Sequence, residues 1–134
     1  MKDRIVRFEY VENTFEISRI AHCILSTSLY EGLSIALLEA LSVGTPAVST
    51  NVGDTAMVIE KYGNGVIFDA IGDIEGYRKT MDGFFARYDG YKARALERMD
   101  EVAEAFSARK ISGQYTECFA RAIAGRRKVQ VESE

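Results

Sequence analysis

The chain has 134 residues, enough for one domain that buries a core of its own. Apolar residues make up 47% and charged residues 28%, as in an ordinary globular protein, and the net charge of −3 gives no reason to expect nucleic acid or an anionic membrane as partner. Because no apolar run reaches the ~18 to 20 residues that cross a bilayer and MKDRIVRFEY is not a signal peptide, the expected location is cytoplasmic.

Residues 5–11, IVRFEYV, alternate loosely and carry β-branched and aromatic side chains, which predicts a strand. Phe15, Ile17 and Ile20 stand at nearly helical spacing and predict a short helix over 14–21. CILS at 23–26 reads as a short buried strand. Residues 34–43 form an apolar helix closed by Gly44 and followed by Pro46, and PAVST at 46–50 is the next strand. The loop Asn51-Val52-Gly53-Asp54 leads into a helix near 55–61, with Asp54 as its expected N-cap. A turn at 62–65 precedes a strand at 66–68. Helical patterns then occupy 73–88, 90–105 and 108–124, with breaks near Gly90 and Phe106-Ser107 and with Ser107 capping the last helix. The end at 125–134, with Arg126-Arg127-Lys128 beside Glu132-Ser133-Glu134, reads as a loose, solvated tail.

Short strands alternating with helices predict an α/β fold. The expected form is a partial parallel sheet of about four strands with crossover helices and a helical C-terminal third, in a single domain over 1–134. Cys23 and Cys118 lie far apart and read as reduced, packed residues, and neither has the spacing of a metal or redox site, so no metal is expected. His22, the only histidine, has no carboxylate or cysteine near it in sequence and reads as a packed or exposed residue, not a catalyst.

The most informative stretch is Ser28 to Thr50, SLYEGLSIALLEALSVGTPAVST. Glu39 falls among Ile35, Ala36, Leu37, Leu38, Ala40 and Leu41, a helix apolar enough to be largely buried. A carboxylate there is costly unless it is paired or hydrogen-bonded. It could accept both hydroxyls of a ribose, or it could make a structural pair with an arginine or an amide. Gly32 and Ser34 mark a turn into a helix N-terminus, whose unpaired amides and dipole suit a phosphate; an ordinary capped turn has the same sequence. Glu31 fits a general base, a sugar-hydroxyl acceptor or a surface residue. The Asn51–Asp54 loop faces the carboxyl end of its strand, where open α/β sheets bind ligands, and also reads as a plain turn.

The run SLYEGLSIALLEALSVGTPAVSTNVGD resembles the donor-site segment of retaining GT-B glycosyltransferases of the family 4 type, with E-G, seven residues between two glutamates, E-A, a small-Gly-x-Pro turn, a strand and a V-G loop. Asn64-Gly65-Val66-Ile67 resembles the family's N-G-(apolar) strand, the helix opening at Phe106-Ser107 with Tyr115 its closing helix, and FEYV the strand before its short helix, so the likeness runs from about residue 5 to 124. Departures stand at Thr27, in place of proline, and at Ser34 and Asp54, each in place of a second glycine. Met57 stands where a glutamate often follows.

The resemblance implies a Rossmann-like donor-binding portion of a transferase that uses a UDP-, GDP- or ADP-linked sugar, with no bound cofactor. It makes Glu31 the catalytic residue at the donor sugar and Glu39 the ribose ligand. The backbone of Gly32, Leu33, Ser34 and Ile35 would hold the diphosphate, and Asn51 and Gly53 lie in the loop near the donor. It implies a missing N-terminal acceptor domain or partner chain, without which the chain would be inactive. It also implies peripheral attachment to the inner face of the membrane for a full-length protein. The strand at 23–26 would then be a bare edge able to pair with a second copy. The alternatives are a non-catalytic nucleotide-sugar-binding or interaction module and a fragment of a GT-B sugar-nucleotide epimerase.

Overall fold

A computed structural model describes residues 4–69 and 72–131, with side chains to Gly125. The elements run α1 (Thr14–Ile20), β1 (Ile24–Ser26), α2 (Ile35–Ser42), β2 (Ala47–Thr50), α3 (Thr55–Tyr62), β3 (Gly65–Phe68), α4 (Ile74–Ala86), α5 (Tyr88–Ala105) and α6 (Ala108–Val131). The sheet is parallel, in the order β1-β2-β3, with Ile24 opposite Ala47 and Val48 opposite Val66. The α/β expectation holds, with three strands among the described residues where four were expected.

The missing strand is the one expected at 5–11. A strand exists only where a neighbouring backbone takes up its N–H and C=O groups. Residues 5–11 have no such neighbour among the described hydrogen bonds, and Ile5, Val6, Phe8 and Tyr10 are exposed.

β2 is buried along its whole length because helices cover both faces. Ala47 joins Leu37 and Leu41 of α2, Val58, Ile59 and Tyr62 of α3, and Val102 of α5. Val48 turns the other way, to Phe84 of α4 and Tyr91 of α5. The pleat thus sends alternate residues into two cores. The chain breaks between α4 and α5 at Arg87 and not at Gly90, which sits inside α5. The earlier break lets Phe84 stack on Tyr91, ring centroids 5.2 Å apart.

The ends of the helices decide where the site can be. Gly44, at φ +76, closes α2 in the left-handed region that favours glycine. Lys92 Nζ donates to the Gly44 carbonyl at 2.7 Å, while Val102 packs with Leu37 nearer the start of α2. α5 therefore runs antiparallel to α2, and its C-terminal end lies beside the N-terminal end of α2. Ser107 caps α6 as expected, its Oγ accepting from the Lys110 amide at 3.2 Å. α6 continues to Val131, beyond the 124 predicted from the pattern, and residues 132–134 of the expected loose tail lie outside the described residues.

Candidate functional site

The turn from β1 into α2 opens at the carboxyl end of the sheet. Ser34 is buried and is the N-cap of α2, its Oγ accepting from the Leu37 amide at 3.3 Å and its carbonyl from the Leu38 amide. The amides of Gly32, Leu33, Ser34, Ile35 and Ala36 donate to no acceptor among the described hydrogen bonds. Together with the helix dipole they form a row of donors suited to an anion. A Cβ built on Gly32 meets nothing, so this backbone faces open space.

The loop after β2 is tied down over this turn. The Thr50 hydroxyl donates to the Ser28 carbonyl at 2.7 Å and the Asp54 amide to the Gly32 carbonyl at 2.8 Å. Gly53 lies between them at φ +51, and a Cβ there would collide with the carbonyls of Glu31 and Gly32. Asn51 is fixed at both ends, its amide to the Phe68 carbonyl at 3.1 Å and its Nδ2 to Asp69 Oδ1 at 2.6 Å. Asp54 occupies the N-cap position of α3 but its side chain makes no capping bond, so that expectation is met in place and not in chemistry.

Glu31, Gly32 and Gly53 line one open cleft of about 610 Å³, with Leu29, Tyr30 and Val52. Glu39 lines another, of about 450 Å³, with Phe15, Ile35, Leu38, Phe106 and Ser107 among its neighbours. The start of α2 separates the two, with Ser34 and Ile35 between the glutamates. α2 is less buried than its composition predicts: Leu37, Ala40 and Leu41 face the core, whereas Ile35 is 72% exposed. Glu39 is only partly buried and is hydrogen-bonded, accepting from Thr14 Oγ1 at 2.8 Å. The structural partner left open by the sequence is thus a threonine, not an arginine or an amide.

The structure therefore brings Glu31, Gly32 and Gly53 together, sets Leu33, Ser34 and Ile35 at the helix start, places Asn51 on the adjoining loop and puts Glu39 round the corner. Sequence reading missed Thr14 and Asp69. Asn13-Thr14 signals only a helix start, and Asn13 does cap α1 through the Phe15 amide at 3.2 Å. Nothing in the spacing points from Thr14 to a glutamate 25 residues on.

Other candidates carry less. His22 is exposed and packs against Tyr88, ring centroids 5.5 Å apart. Burial raises the Cys23 thiol above its ordinary pKa, while Cys118, expected to be packed, is exposed because the outer length of α6 touches little else. No group of three His, Cys, Asp or Glu among the described residues could hold a metal ion. No helix among them is long and apolar enough to cross a membrane.

Comparison with known proteins points to a family and to a relative. Residues 2–104 match the family described as glycosyl transferases group 1. N-acetyl-alpha-D-glucosaminyl L-malate synthase of Bacillus anthracis is 25% identical over 115 residues, which is 86% of this chain and 30% of that protein. The chain thus spans under a third of the length of this relative.

Proposed function

The chain belongs to the glycosyl transferases group 1 family, and on that premise we propose that it is the nucleotide-sugar-binding portion of a retaining GT-B glycosyltransferase. The observation that carries the reading is the row of uncommitted amides from Gly32 to Ala36 with a glutamate in a cleft on either side. A donor diphosphate at the start of α2 would be met by those amides and the helix dipole. Its sugar would reach the cleft of Glu31, and its ribose hydroxyls would reach Glu39.

In this reading Glu31 is the catalytic residue. In the whole transferase its carboxylate would lie beside the donor sugar and stabilise positive charge at the anomeric carbon as the sugar–phosphate bond breaks and an acceptor hydroxyl oxygen bonds to that carbon, its proton passing to the departing diphosphate. The departing diphosphate gains negative charge, and preorganised N–H donors bind that charge more tightly in the transition state than in the ground state. No metal is needed for this step as proposed. Val52 and Gly53 line the sugar cleft, and Asn51 anchors their loop through Phe68 and Asp69. Acceptor contacts and further cations on the diphosphate are assigned to regions such as the 70% of the Bacillus anthracis relative that this chain does not match, so the chain binds a donor without transferring its sugar.

Calorimetric titration of UDP, GDP and ADP tests the reading. One of the three should bind, and Glu39→Gln should weaken it by at least about tenfold, the effect of losing a charged hydrogen-bond acceptor. Failure of all three to bind, or equal binding by the variant, removes it.

A further inference from the structure

We infer that Thr14 is a positioning residue for Glu39, holding its carboxylate ready for the ribose hydroxyls. The inference rests on the ribose reading of Glu39 proposed above. Among the described bonds between side chains, only Thr14–Glu39 and Asn51–Asp69 join segments far apart in sequence; the others link residues five or fewer positions apart. Thr14 Oγ1 donates to Oε2 at 2.8 Å, which leaves Oε1 and a second lone pair on Oε2 for other donors.

Several features make Thr14 a stiff support. It is the first residue of α1, and the Asn13 side chain fixes that helix start by accepting from the Phe15 amide. Its β-branched side chain has few rotamers. α1 is itself pinned from behind, where Thr45 Oγ1 donates to the Ser18 carbonyl at 2.6 Å. Glu39 has a long side chain on a partly exposed helix face, so without this bond its carboxylate would sample several rotamers and pay that entropy on binding. Thr14 therefore acts on the ribose through Glu39 and gains nothing from a nucleotide that lacks the hydroxyls.

Binding of ribonucleoside and 2′,3′-dideoxyribonucleoside diphosphates to the 134-residue chain tests this. The base is the one that binds in the UDP, GDP and ADP series. Thr14→Val keeps the shape and removes the donor; it should weaken the ribo form roughly three- to tenfold and leave the dideoxy form unchanged. Thr14→Ser keeps the donor and should stay within about twofold of the unaltered chain. Thermal melts of both variants register any loss of fold. Equal weakening of both nucleotides by Thr14→Val, no weakening of either, or loss of the ribo preference in Thr14→Ser overturns the positioning role. If Glu39→Gln abolishes the ribo preference while Thr14→Val leaves it undiminished, the ribose reading survives and only the inference about Thr14 falls. If the unaltered chain binds neither form, or binds both equally, the ribose reading falls and the inference with it.

Discussion

Gly53 shows at one position how the site is held. Its left-handed backbone costs an L-residue ~1 to 2 kcal/mol, and a side chain there would also press on two carbonyls of the facing turn. Gly53→Ala should therefore lower stability by about 2 kcal/mol or more in urea denaturation and break the bond from Asp54 to Gly32. A variant as stable as the parent would show that the two loops are not in contact. The cysteines give a second contrast. Cys23 is half-buried and its thiol is held above the ordinary pKa by desolvation, whereas Cys118 is exposed. A raised folded pKa contributes stability at pH below the unfolded value and loses it as pH climbs through the folded value. Iodoacetamide should label the exposed Cys118 before the half-buried Cys23, whose raised pKa slows its reaction further, as peptide mass analysis would read out. Simultaneous labelling would mean that α4 does not shield Cys23. At this scale Glu39 stands out in the sequence as a carboxylate in an apolar run and Glu31 as one beside a turn glycine; the contact from Thr14 to Glu39 does not, because an N-terminal helical threonine looks the same with or without a distant partner.

Among the elements, α2, β2, α3 and β3 followed their sequence signals to within a residue or two, because each has local punctuation. Ser34 opens α2, Gly44 closes it, and Gly63 at φ +61 closes α3. The 5–11 segment has strand-like composition and no edge to pair with, and pairing is a tertiary fact that composition does not carry. The α4–α5 break was misplaced for a related reason. Glycine alone marks a weak helix position, whereas the aromatic stack of Phe84 on Tyr91 fixes where the chain bends. Phe84 has no exposed surface and packs against Val48 on the face of the sheet opposite α2. Truncating it opens a hole between α4 and Val48, while Tyr77 of α4 keeps its edge-on contact with Phe68 of β3. Phe84→Ala should cost about 3 to 5 kcal/mol in urea denaturation. A loss under ~1 kcal/mol would mean that the second core closes over the gap.

For the whole molecule, the decisive feature is the outer side of β1. Ile24 donates to the Pro46 carbonyl at 2.9 Å, toward β2. Alternation along a strand then turns the N–H and C=O of Leu25 outward, and no partner takes them among the described hydrogen bonds. Leu25 itself is 48% exposed, and Ile5, Val6, Phe8, Tyr10 and Ile20 are exposed as well. Natural edges of this kind are blunted by charge or proline, because a bare edge templates pairing with another chain. β1 carries neither, and the net charge of −3 on 134 residues repels a second copy only weakly. The isolated chain should therefore self-associate through β1. Sedimentation velocity across a concentration series should show a dimer that grows with protein concentration. Leu25→Lys, which sets a charge on the strand without touching Glu31, Glu39 or the α2 amides, should return it to monomer while preserving nucleotide binding. A monomer at millimolar concentration would rule out pairing at this edge. A dimer that survives Leu25→Lys would place the contact elsewhere, on a surface such as the exposed Tyr115, Phe119 and Ile123 of α6. Loss of nucleotide binding along with the dimer would mean that the second copy completes the donor site.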